Sequence, residues 1–140
     1  MKVTIRKARK EDIQVLEELF LEFSSWNLDR QKSLHKVIDD PNGILLVAEY
    51  NDQVVGFIHQ VFFMDPLHAG HNSDITNLFV KEKFRRKGIA SSLVQKALED
   101  AKRRKVVEIH VTTRKNNLKA INFYQELGFK MEGLLFEKNP

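Results

Sequence analysis

The chain has 140 residues, which suits one compact domain with a single core, and its 42% apolar and 30% charged content is that of an ordinary globular protein. It has no cysteine, excluding disulfides, thiolate zinc sites and a cysteine nucleophile, and no stretch apolar enough to span a bilayer. The net charge of +4 is uneven: residues 1–70 carry eight Lys and Arg against eleven Asp and Glu, and residues 71–140 carry fifteen against eight.

Val3 to Arg6 alternates apolar and polar residues, as a first strand would. Glu11-Asp12 opens a helix whose apolar residues Ile13, Leu16, Leu19, Phe20 and Phe23 recur at helical spacing, ending near Trp26-Asn27. A second short helix is expected over Asp29 to Asp39, stopped by Pro41-Asn42-Gly43. Ile44–Glu49 and Val54–Phe63 read as a hairpin around Asn51-Asp52, and residues 64–73 as loop. Asp74 to Lys81 is a strand. A helix starts at Lys87 or Gly88, with Ile89, Leu93, Ala97, Leu98 and Ala101 inward, and ends in Lys102-Arg103-Arg104-Lys105. Val106–Val111 is a strand, Asn117–Leu127 a helix capped by Gly128, and Phe129 onward a final strand region. The order β-α-α-β-β-β-α-β-α-β predicts a single α/β layered domain, residues 1–140, with a mixed sheet and a parallel crossover between residues 74 and 111.

One run carries chemistry. The strand Asn77-Leu78-Phe79-Val80 leads into a basic turn, Arg85-Arg86-Lys87, which closes at Gly88 where a helix begins. Backbone N–H groups at a helix start have no intrahelical partner and carry the positive end of the dipole. Gly88 has no side chain to hold an anion away, and three cations surround it, so the run makes a seat for a pyrophosphate. The alternative is an ordinary basic turn closed by glycine. Charge alone would equally suit nucleic acid.

The turn Arg85-Arg86-Lys87-Gly88-Ile89-Ala90 resembles the Gln/Arg-x-x-Gly-x-Gly/Ala motif of the GCN5-related N-acetyltransferase (GNAT) superfamily. Asn117-Leu118-Lys119-Ala120-Ile121-Asn122-Phe123-Tyr124, followed by Gly128-Phe129, is similar to that family's C-terminal helix and strand start. The element order matches over nearly the whole chain. The resemblance implies a mostly antiparallel mixed sheet with splayed central parallel strands, helices on both faces, and acetyl-coenzyme A as co-substrate with no metal. It implies that the backbone of Leu78, Phe79 and Val80 holds the pantetheine arm. Pyrophosphate would lie against Arg85, Arg86, Lys87, Gly88, Ile89, Ala90 and Ser91, Asn117 would support the arm, and Tyr124 would sit near the sulfur. Two departures stand out: Ala90 replaces the last glycine, and the tail after Phe129 is short for the final hairpin that walls the acceptor site in many relatives.

Acetyl transfer to an amine needs a donor for the carbonyl oxygen, a proton for the leaving thiolate and a base for the amine. A Tyr hydroxyl, with pKa near ~10 against ~8.5 for a thiol, can donate without being ionised. A lysine-like amine at ~10.4 needs roughly 4–5 kcal/mol to be neutral at pH 7. Asp74, six residues before Val80, is the first candidate base, with His59, His71 and a water relay as others. Trp26, Asn27 and Asp29 fall where the first two helices join, a region that often lines the acceptor site in the family, and Glu22, Asp29 and Asp74 favour a small cationic amine over a protein N-terminus. Tyr124 could equally be a core aromatic, Asn117 a simple N-cap, and Lys102–Lys105 a solvated helix end. His68 and His71, beside Asp65 and Asp74, lack a defined third metal ligand and read as loop. The expectation is a cytoplasmic N-acetyltransferase, possibly a homodimer, without a nucleic-acid or membrane partner. A non-catalytic acyl-coenzyme A sensor is the alternative, and a basic nucleic-acid-binding domain a further one.

Overall fold

A computed structural model describes residues 2–140. These fall into two compact units, the first ending at His110 and the second comprising Val111–Pro140.

The first unit contains strand β1 (Val3–Lys7), helices α1 (Ile13–Ser24) and α2 (Gln31–Asp39), strands β2 (Gly43–Tyr50), β3 (Gln53–Asp65) and β4 (Gly70–Val80), and helix α3 (Ile89–Arg103). Strand β5 (Ile109–Val111) runs across the boundary. The sheet order is β1-β2-β3-β4-β5, with the first three pairings antiparallel. The segment before β5 advances with β4: the Val107 N–H donates to the His71 carbonyl and the Ser73 N–H to the Glu108 carbonyl, at 2.8 and 3.0 Å. The fold is therefore α/β with a mixed sheet.

Period-2 alternation divides the sheet residues between two helical layers. Leu45, Val47 and Phe57 face α1 and α2, where Leu16, Leu19 and Leu34 join them in one buried core. Phe57 is fully buried, stacked on Phe20 at 4.2 Å between ring centres. Burial of an aromatic this size contributes roughly 2–3 kcal/mol. The opposite face packs α3 through Leu93, Val94, Ala97 and Ala101. Gln60 on that face is fully buried, yet its amide donates to the Ala97 carbonyl and accepts from Ser73 Oγ, at 3.0 and 2.9 Å. Both ends of the amide are satisfied, so the group joins two strands to the helix without an orphaned polar atom.

Several expected boundaries shift. The stretch 64–73 is mostly strand, with only Pro66–Ala69 forming the turn. The helix expected from Asp29 starts at Gln31, with Asp29 Oδ1 accepting its N–H at 3.0 Å. The strand expected from Val106 is confined to Ile109–Val111. Asn51 and Asp52 both take positive φ, as a two-residue hairpin turn requires.

The second unit contains helix α4 (Leu118–Glu126), N-capped by Asn117, whose Oδ1 accepts the Ala120 N–H at 3.1 Å. Gly128 at φ +94° closes it: its N–H donates to the Gln125 carbonyl and the Phe129 N–H to the Tyr124 carbonyl, both at 3.0 Å. This pair of bonds is the Schellman closure expected of a glycine there. The final strand expected after Phe129 is not formed. Residues 129–140 carry no regular structure, and Leu134, Leu135 and Phe136 are exposed.

Candidate active site

The first unit carries an anion-binding geometry where β4 meets α3. Arg86 (φ +62°) and Gly88 (φ +78°) both take left-handed conformations, turning the chain sharply into the helix. The N–H groups of Arg86, Lys87, Gly88, Ile89, Ala90 and Ser91 have no backbone or side-chain acceptor among the described residues; the first amide of this run to be paired is Ser92, to the Gly88 carbonyl at 3.0 Å. Nothing lies within 4 Å of where a Cβ on Gly88 would stand. Unpaired amides, an open approach and the positive end of a 15-residue helix thus coincide. Arg86 and Lys87 are exposed beside them. Arg85 is engaged elsewhere: its Nε donates to the Val80 carbonyl at 2.8 Å and its guanidinium lies over the Phe79 ring. It ties the turn to the end of β4, where Phe79 and Val80 are buried and Leu78 is half-buried.

A cavity of about 380 Å³ opens between the α1–α2 layer and the sheet. Its walls are Phe20, Leu28, Leu34, Val37 and Leu45, and its polar groups come from Asp29, Arg30, Ser33, His59 and Asn77. The Arg30 guanidinium is used structurally, donating to Ser24 Oγ and to the carbonyls of Trp26 and Leu28. It holds the α1–α2 connection in shape. Asp29 reaches the cavity as expected, whereas Trp26 and Asn27 are not among its lining residues and the Trp26 side chain is 68% exposed. Glu22 is exposed and does not line it either. His59 is near Thr76 Oγ1 at 2.6 Å, and burial lowers its pKa, partly opposed by Asp40, which favours the neutral ring.

A β-bulge brings Asp74 to this same face. His59 pairs with Asn77, but Gln60 pairs with Ile75, so Thr76 is an extra residue in β4. Val61 faces Asp74 and shares a sheet face with His59, two residues before it. His71, opposite Met64, lies on the other face.

From Asp74 a chain of acids and imidazoles continues along the sheet. His110 Nδ1 is 3.3 Å from Asp74 Oδ1, and His110 Nε2 is 2.9 Å from Glu108 Oε1. Glu108 Oε2 is 2.8 Å from His68 Nε2, and His68 Nδ1 is 2.5 Å from Asp65 Oδ2. Buried Asn72 locks the far end, donating to Asp65 and accepting the Glu108 N–H. His110 has its pKa raised, first by the Glu108 hydrogen bond and then by Asp74, against a smaller opposing effect of burial. The sequence reading missed His110. The alternation of Glu108 and His110 before Val111 was its only local signal, and nothing local announces that Asp74 lies beside it.

In the second unit, Tyr124 packs edge-on to Phe123 and Phe129, and burial raises the pKa of its hydroxyl, which therefore stays protonated at neutral pH.

The basic run after α3 is half consumed internally. Arg103 pairs with buried Asp100, while Arg104 donates to the Pro41 carbonyl at 3.0 Å and covers the Phe62 ring. No helix among the described residues is long and apolar enough to cross a membrane.

Comparisons with known proteins agree with this geometry. The profile of the acetyltransferase (GNAT) family matches residues 9–129. An uncharacterized N-acetyltransferase of Methanocaldococcus jannaschii is 30% identical over 139 residues, covering 91% of this chain and 60% of that protein. The chain spans only 40–60% of the length of the first curated relatives it matches. A transcriptional regulator from Bacillus halodurans C-125 superimposes with a TM-score of 0.87 at 27% identity, covering 98% of this chain and all of that one. An aminoglycoside N-acetyltransferase crystallised with coenzyme A superimposes at 0.89, covering 99% and 95% of the two chains, at 17% identity; that likeness is one of fold.

Proposed function

The chain belongs to the acetyltransferase (GNAT) family, and from that premise we propose that it transfers an acetyl group from acetyl-coenzyme A to a primary amine. The observation that carries the proposal is the run of unpaired amides from Arg86 to Ser91 in front of an open Gly88. The residues fit a pyrophosphate: the donors are backbone groups, the approach is unobstructed and two free cations flank it.

Acetyl-coenzyme A would supply the activated acyl group, which direct attack by the acceptor amine converts to an amide with release of the thiol. Backbone donors from Arg86 to Ser91 hold the anionic end, with Arg85 bracing the turn against Val80. Leu78, Phe79 and Val80 align the thioester, and the Val80 N–H stabilises charge on the carbonyl oxygen. Asn117 supports the pantetheine arm, and Tyr124 donates a proton to the departing sulfur, for which a hydroxyl kept protonated by burial is suited. Asp74 accepts the amine proton.

The acceptor enters through the cavity beside Asp29, His59 and Asn77. With His59 neutral and Arg30 committed to the α1–α2 connection, Asp29 is the charged group left to meet a ligand, which favours a small cationic amine.

A second reading, an acyl-coenzyme A sensor without turnover, draws support from the likeness to a transcriptional regulator. A calorimetric titration with acetyl-coenzyme A followed by a thiol-release screen over amines separates them. Binding with thiol release supports the transferase, binding without release the sensor, and no binding contradicts both.

A further inference from the structure

The acceptor proton needs a destination, and the sheet face next to the cavity holds a group suited to it that the family motifs do not mark. We propose that Asp74 and His110 act as one proton-accepting pair, with Glu108 as the positioning residue that fixes the His110 tautomer. This rests on the transferase reading above and extends it to residues that reading does not use.

The argument is one of lone pairs. A carboxylate only accepts hydrogen bonds. Glu108 Oε1, 2.9 Å from His110 Nε2, therefore requires the hydrogen of a neutral ring to sit on Nε2. His110 Nδ1 is then left with a lone pair 3.3 Å from Asp74 Oδ1, itself an acceptor. Two acceptors at that separation are held together by a proton between them, and without one the site is poised to take it up. Glu108 cannot swing away freely: its other oxygen is bonded to His68, which Asp65 holds in turn, and its backbone N–H donates to buried Asn72. Asp74 lies on the sheet face that His59 and Asn77 present to the cavity.

The step balances. As the amine nitrogen bonds to the acyl carbon, one N–H bond breaks and its electron pair remains on nitrogen. The proton passes to the space between Asp74 Oδ1 and His110 Nδ1. The half-exposed pair then returns it to water.

The charged groups facing His110 are Asp74 from β4 and Glu108 from the segment before β5, with His68 and Asp65 of the β3–β4 turn reached through Glu108. Both contacting carboxylates stabilise the imidazolium, which places the pair within the range where a general base serves at neutral pH.

The test is the pH profile of kcat/KM for thiol release, measured on the whole chain with an amine the wild type accepts. His110→Gln keeps a hydrogen-bonding group but cannot titrate. Its kcat is expected to fall about 10²-fold with the KM for acetyl-coenzyme A unchanged, and the limb on which rate rises with pH should vanish. Glu108→Gln removes one carboxylate from the imidazolium, so that limb should move to lower pH. Asp74→Asn combined with His110→Gln should be no slower than the slower single variant. A His110→Gln enzyme within twofold of wild type with an unchanged profile overturns the pair. If that variant does not fold, an unmoved limb in Glu108→Gln overturns it. A wild type that binds acetyl-coenzyme A but releases no thiol with any amine overturns the transferase reading itself, and the pair falls with it.

Discussion

Asp74 and Asn77 stand on one face of β4 although three positions separate them, because Thr76 is bulged out of the pairing with β3. In a regular strand, residues three apart point to opposite sides. The bulge therefore decides which sheet face the candidate base occupies. It puts Asp74 on the side of the cavity and leaves Ile75 buried on the other.

Removal of Thr76 tests that relationship. The deletion restores regular alternation and carries either Asp74 or Asn77 to the wrong face, with half of β4 out of register. The expected outcome is loss of thiol release together with a lower melting temperature. A deletion variant with wild-type turnover would contradict the assignment of this face to the acceptor.

Tyr124→Phe removes only the hydroxyl. The expected result is a fall in kcat of ~10²-fold or more, with acetyl-coenzyme A affinity within about twofold of wild type, read by thiol release and calorimetry. An unchanged kcat would remove Tyr124 from the chemistry and leave it a packing residue between Phe123 and Phe129.

Asp29→Asn tests the charge of the acceptor. Loss of one half-screened attraction is worth ~1 kcal/mol, so the KM of a dicationic amine should rise roughly fivefold while the KM of acetyl-coenzyme A stays put. An equal effect on a monocationic and a dicationic amine would argue that the carboxylate merely caps α2 through Gln31.

Stability against acid should depend on Asp12. The Arg6 guanidinium forks onto it at 2.7 and 2.9 Å, Glu49 holds the other edge of Arg6, and the Arg9 N–H adds a third donor at 2.7 Å. Burial pushes the Asp12 carboxyl upward, but these donors outweigh it and hold the pKa below the usual carboxylate value. A depressed pKa stabilises the fold above the unfolded value, near ~3.9, and the benefit is lost as pH falls through the folded value. Asp12→Asn should therefore cost about 3 kcal/mol in urea unfolding at pH 7, with the gap to wild type narrowing near pH 3. A gap that is the same at both pH values would show that the charge contributes nothing.

Much of this was legible locally. The spacing of Ile13, Leu16 and Leu19 marks the buried face of α1, and Gly128 marks the end of α4, because both signals depend on a few consecutive residues. The basic turn at Gly88 was legible for the same reason. What escaped was set by pairing between distant segments. Pro66 and Gly70 suggested a long loop, whereas cross-strand pairing extends β3 and β4 to within four residues of each other. The bulge at Thr76 leaves no local mark, and His110 gains its meaning only beside Asp74. Leu134, Leu135 and Phe136 looked like strand material, yet that stretch forms no strand, and apolar content alone does not create one without pairing.

The central claim is that the amides before α3 bind a diphosphate, and Gly88→Glu tests it most directly. The left-handed φ of +78° makes any side chain there costly by ~1 kcal/mol, and a carboxylate would project into the open space the anion needs. Wild type at 100 times its Kd for acetyl-coenzyme A should gain about 2.7 kcal/mol, a melting shift of several degrees. The folded Gly88→Glu chain should show no shift. An equal shift in both proteins would contradict the account.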